Sequence, residues 1–169
     1  MKPFRDRPLV RATLLATILA ASGPASGETP SSALAGTWRL VAADVIHAGG
    51  SRAPDYGAAP KGLLMIDADG HYSLQIFKTE RARFAAADKA SGRQDEFAAA
   101  VTGSSTHYGT IAIDEQAHAL TFRIEGASFP NWEGTQQIRT FERANGELSY
   151  RVKARSDGSV PVSVWKRLD

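Results

Sequence analysis

His107, Tyr72 and Tyr150 are the side chains whose types best suit them to chemistry beyond their own fold. An imidazole can donate, accept or move a proton near neutral pH, and a phenol carries one directional polar group on an apolar body. Two roles follow for His107: hydrogen bonding or proton transfer to a small molecule, or a core histidine donating to a backbone carbonyl or to Tyr72. Trp132 is the fourth candidate. It lies in Phe129-Pro130-Asn131-Trp132-Glu133-Gly134, where turn chemistry surrounds a ring that must be covered. Either the ring closes over a ligand or the loop folds back to seal the core.

Other constellations carry less. His47, His71 and His118 are far apart, with no His-x-His or i,i+4 pair to preorganise a metal, so no metal site is expected. Asp67 and Asp69 begin like a calcium loop, but Gly70 arrives too early, and a hairpin is the better reading. Gly103-Ser104-Ser105 follows a helix where a nucleophile elbow would precede one. Glu125 and Arg123 share the face opposite Phe122 and Ile124, which makes them a solvated pair of charges, and no catalytic residue or cofactor is assigned.

The elements that must position these groups are short runs rich in Val, Ile, Tyr, Phe, Trp and Thr, punctuated by Gly, Asp and Asn. Eight strands are predicted, over 37–45, 62–67, 72–77, 106–113, 119–124, 135–142, 147–152 and 162–167. Asp67-Ala68-Asp69-Gly70 and Ala144-Asn145-Gly146 are tight-turn sequences. One helix interrupts the series between strands 3 and 4. Ser91 and Gln94 read as its capping box, Phe97, Ala100 and Val101 as its apolar stripe, and Gly103 as its stop. The stretch 79–90 before it is alanine-rich, charged and partly helical in character. The expected architecture is an all-β, eight-stranded antiparallel up-and-down barrel, because closure removes the sheet edges.

Period-two alternation gives each strand an inner face. His107 shares parity with Ile111 and Ile113, Tyr72 with Leu74 and Ile76, Tyr150 with Leu148 and Val152, and Trp38 with Leu40 and Ala42. An apolar interior with a few convergent polar groups is the usual composition of a small-molecule pocket. An eight-stranded barrel can equally be filled by its own side chains. Trp38, Tyr72, Phe122 and Tyr150 favour filling, whereas Ala42, Ser105 and Gly109 favour a void.

Residues 1–27 are built differently. Lys2, Arg5, Arg7 and Arg11 precede an uncharged stretch over 12–21, followed by small residues at Ala25, Ser26 and Gly27. That is the layout of a secretory signal peptide, with cleavage expected after Gly27 or Gly23. Its apolar stretch is half the roughly 20 residues a spanning helix needs, so no lasting membrane anchor is expected. The location implied is periplasmic or secreted. Residues 28–33 read as a flexible leader, and 34–169 as the folded domain. Removal of 1–27 takes the formal charge from +2 to −1, which leaves no electrostatic reason to bind nucleic acid. The chain has no cysteine, which excludes disulfides and thiol chemistry.

Gly36-Thr37-Trp38, opening the first strand, is similar to the first lipocalin signature. The resemblance implies a structural set of Gly36, Trp38 and Arg167, with the tryptophan plugging the closed end and an arginine of the last strand, Arg167 or alternatively Lys166, packing across it. More specifically, the chain resembles the lipocalin-like domain proteins of the wider calycin group over 34–167. Tyr56 with Pro60-Lys61-Gly62-Leu63-Leu64, Gly103-Ser104-Ser105-Thr106-His107-Tyr108-Gly109 and the stretch 124–135 around Trp132 carry the match most specifically. The Thr-Asp-Tyr of the second lipocalin signature has no counterpart here, so retinoid-style transport is not implied. The resemblance implies a barrel and a ligand cavity, and no general reaction.

Three functions remain open on the sequence. One is a binder of a small, largely apolar ligand oriented by Tyr72, His107 and Tyr150 with Trp132 at the entrance. Another is a cofactor-free isomerase or cyclase in which His107 and Tyr72 move a proton. The third is a non-enzymatic envelope module with a filled barrel.

Overall fold

A computed structural model describes residues 31–168. The expected signal peptide over 1–27, and 28–30 of the leader, lie outside the described residues. Ser31–Leu34 form a 3-10 turn that delivers Leu34 into the core.

The strands are β1 (Gly36–Ile46), β2 (Arg52–Pro54), β3 (Lys61–Ile66), β4 (His71–Phe77), β5 (Ser104–Asp114), β6 (Ala119–Ala127), β7 (Gln136–Ala144), β8 (Glu147–Arg151) and β9 (Val160–Leu168). They form one antiparallel sheet in the order β2-β1-β3-β4-β5-β6-β7-β8-β9, closed by β1 against β9. The eight expected strands are therefore present and make the closed barrel. The ninth, β2, spans three residues and ends at Pro54, too short for a strand signal. It pairs with Asp44, Val45 and Ile46, while β3 pairs with Gly36 through Arg39 along the same edge of β1. The segment 55–60 between them consequently lies at one end of the barrel.

Alternation holds along most strands, and Leu74, Ile76, Ile111, Ile113, Leu120, Phe122, Ile124 and Leu148 are buried inside. It breaks in β1. The register shifts between Leu40 and Ala42, so that Val41 bulges and is exposed while Ala43 and Val45 turn inward. The expected inward position of Ala42 is corrected to Ala43, since one extra residue in a strand inverts every later side chain. A second shift, between Tyr108 and Gly109 opposite Glu125, bends β5 and β6 at mid-barrel.

The helix α1 (Gln94–Thr102) lies between β4 and β5 and buries none of its residues. The predicted capping box is displaced. Glu96, not Gln94, closes it, accepting the Arg93 N–H at 2.8 Å. The Ser91 hydroxyl instead donates to Asp88 at 3.1 Å, ending a separate 3-10 turn. Phe97 packs edge-on against Phe84 with ring centroids 5.3 Å apart, so the helix folds onto its own connection along the barrel flank. Of the stretch 79–90, only Lys89 and Ala90 are helical, in the 3-10 turn Lys89–Ser91, and 79–88 contains no helix.

Trp38 plugs the end at which β1 begins. Its Nε1–H donates to the Leu34 carbonyl at 2.9 Å, and the Arg167 guanidinium lies 5.5 Å from its ring centroid while donating to the Ala35 carbonyl. A cavity opens at the other end.

Candidate functional site

The half of the barrel away from Trp38 encloses a cavity of about 250 Å³. The second halves of β1 and β4, the beginnings of β5, β7 and β9, and the end of β8 supply its walls. Most of that wall is apolar, from Leu74, Ile76, Val152, Val162 and the ring of Tyr150, and His107, Ser105, Gln137, Arg139 and Ser163 interrupt it. At the mouth, Asp55 pairs with Arg155 and Lys153 stands beside them.

Of the four ligand-contact candidates, the structure brings His107, Tyr150 and Trp132 to this wall. Trp132 sits in a 3-10 turn, Pro130–Trp132, held by the Trp132 N–H to the Phe129 carbonyl and by Glu133, which accepts from the Ala127 N–H. Its ring meets His107 edge-on, with centroids 6.0 Å apart. It is half-buried, so the loop both packs on the core and contributes a wall. Tyr72, the fourth candidate, is not part of this wall. Its ring lies beneath His107 and does not reach the cavity wall, because β4 enters the barrel from the Trp38 end.

What Tyr72 touches is His107. Its hydroxyl is 2.7 Å from Nδ1, while Arg139 Nη2 is 3.2 Å from Nε2. A guanidinium has donors only, so Nε2 must accept. Burial first, and then the positive Arg139, pull the His107 pKa down to about 3, and the ring is neutral. A neutral imidazole that accepts at Nε2 carries its hydrogen on Nδ1 and donates it to Tyr72. Burial pushes the Tyr72 hydroxyl above its ordinary pKa, which keeps it a neutral phenol.

Arg139 is the residue that sequence reasoning missed. It is 5 % exposed, donates to Gln137 Oε1 at 3.0 Å, and places its guanidinium 4.1 Å from the centroid of Phe122 and 4.9 Å from that of Tyr150. A signal existed, since Arg139 shares parity with Phe141, which is also buried. Two polar atoms in this cluster are buried without partners among the described residues, Arg139 Nε and Tyr150 Oη. Trp165 Nε1, on the ring stacked against Tyr150, is a third.

The remaining candidates have local roles. His71 is exposed and its Nδ1 lies 3.1 Å from Asp67. Asp67 also accepts the N–H groups of Asp69 and His71, which makes the segment a hairpin turn. The Ser104 hydroxyl donates to the Ala100 carbonyl at 2.9 Å and finishes α1. Arg123 and Glu125 face outward and are exposed.

A model described as a lipocalin-like domain matches residues 35–168. The chain belongs to the lipocalin-like domain family. No curated protein matches its sequence. Two solved structures resemble this lipocalin-like barrel at low identity. One is titled REP1-NXSQ fatty acid transporter, with 18 % identity over 81 % of this chain and 97 % of that one and a TM-score of 0.37. The other is a mutant of the fluorescent protein UnaG, with 15 % identity over 80 % and 96 % and a TM-score of 0.36. At that distance neither bears on what this barrel holds.

Proposed function

We propose that this lipocalin-like protein is exported to the periplasm or beyond and there binds a small, largely apolar molecule in the open half of its barrel. The observation that carries the reading is the cavity of about 250 Å³ with a mainly apolar wall and a few inward polar groups. At the packing density of a protein interior, about 0.74, that space takes a molecule of roughly 10 to 13 non-hydrogen atoms. Tyr150, His107 and Trp132 line it. Tyr72 acts one step back, by fixing the imidazole. Binding is favoured over proton transfer because a general base works best with a pKa near the working pH, and His107 sits at about 3.

The test is native mass spectrometry of the protein isolated from its own host's envelope. A reproducible added mass of a small molecule is expected. A bare polypeptide mass that does not shift when envelope lipids and small aromatics are offered overturns the reading.

A further inference from the structure

We propose that the ligand of this cavity is a monoanion, a compact apolar molecule with one carboxylate that seats on Arg139. The inference rests on the binding reading above and adds the chemical class of its ligand.

Arg139 is a cation enclosed in a barrel whose wall is mainly apolar, yet no carboxylate of the described residues lies within ion-pair distance of it. Its Nη2 is engaged by His107 and Gln137, and two aromatic faces cover its plane. All of these partners are neutral. They satisfy part of the guanidinium's hydrogen bonding and leave its charge unbalanced, which is costly in a low-dielectric interior. Nη1 has no acceptor among the described residues and, unlike Nε, is not sealed off. Tyr150 adds a buried hydroxyl with no partner, on the ring that Arg139 lies over.

The neighbours are arranged to keep that guanidinium available. His107 can hold Nη2 only as the tautomer that donates from Nδ1, and Tyr72 accepts that donation. Arg155, by contrast, is already neutralised by Asp55, and Lys153 is exposed at the mouth. A ligand carboxylate entering past them meets one unbalanced charge inside, and the Tyr150 hydroxyl, closed off as Nε is, joins the contact only when the ring shifts to admit it. A carboxylate is the natural partner because it balances the guanidinium's charge and accepts a charge-assisted hydrogen bond from the open Nη1. A cation would be repelled, and a wholly apolar ligand would leave Arg139 and Tyr150 as they are.

Isothermal titration of the purified protein with 2-naphthoate and with 2-naphthamide, matched in shape and differing in charge, decides it. The expected result is a carboxylate preference of at least about tenfold. In Arg139→Met the ratio of the two affinities should fall to about one. Tyr150→Phe removes a hydroxyl that already lacks a partner and so leaves the fold intact. It should lower naphthoate affinity several-fold more than naphthamide affinity, and it carries the test if Arg139→Met does not fold. Equal affinities in the unaltered protein overturn the carboxylate and leave apolar binding standing. A preference lost in Lys153→Met but kept in Arg139→Met places the anion at the mouth and also overturns the proposal. Failure of both probes to bind overturns this inference together with the binding reading.

Discussion

At the scale of the residue, His107 decides how the site behaves. Its pKa of about 3 in the fold lies below the ordinary 6.5. Between those values the unfolded chain binds a proton that the folded one refuses. Stability from this group is therefore complete above about pH 6.5 and is lost as pH falls, at roughly 1.4 kcal/mol per unit. Urea unfolding followed from pH 6 to 4.5 should show that slope, and His107→Gln should flatten it. The amide can accept from Arg139 and donate to Tyr72 but does not titrate. Equal slopes in the two proteins would mean that the histidine is not held neutral. Parity along 106–113 put this imidazole inside and named Tyr72 as a partner. It could not supply Arg139, because a charged side chain in a strand is usually solvated, and only the ring faces and acceptors around it make burial tolerable.

At the scale of the element, the strands were legible and their irregularities were not. Alternating apolar residues bounded by turn sequences mark β3 through β9 to within a few positions, since side-chain period and turn chemistry are local properties. Bulges depend on the partner strand, and so the inversion at Val41 left no local mark. Gly109 marks the other register shift. It has φ 154°, and a Cβ there would lie 2.0 Å from the Arg123 carbonyl oxygen. Gly109→Ala should accordingly cost about 2–3 kcal/mol, read from urea unfolding. An unchanged midpoint would show that β5 and β6 can separate there without loss. The helix was found, and its cap misplaced, because Ser91 and Glu96 both offer capping chemistry and only the competing contact to Asp88 selects between them.

At the scale of the whole molecule, closure and openness sit at opposite ends. β1 and β9 seal the cylinder from Thr37 with Leu168 to Ile46 with Val160. Trp38 and Leu34 close the floor, and Arg167 braces Trp38 from outside. Arg167→Met removes a hydrogen bond to Ala35 and a cation over an aromatic face. It should lower stability by about 1–2 kcal/mol with an unchanged denaturant slope. A fall in the slope itself would instead indicate that the seam loosens before the core.

By itself the sequence determined the number and order of the barrel strands, the family resemblance, and the inward placement of His107, Tyr72 and Tyr150. Each follows from alternation, turn chemistry or short motifs, all of which act over a few residues. Only the tertiary structure decided that the barrel is plugged at the Trp38 end and hollow at the other, and that Tyr72 supports His107 from outside the cavity wall. It also decided that Arg139 lies inside without a counter-charge among the described residues. These outcomes depend on how side chains from distant strands share a fixed volume, and that balance of packing and charge is set only when the cylinder closes.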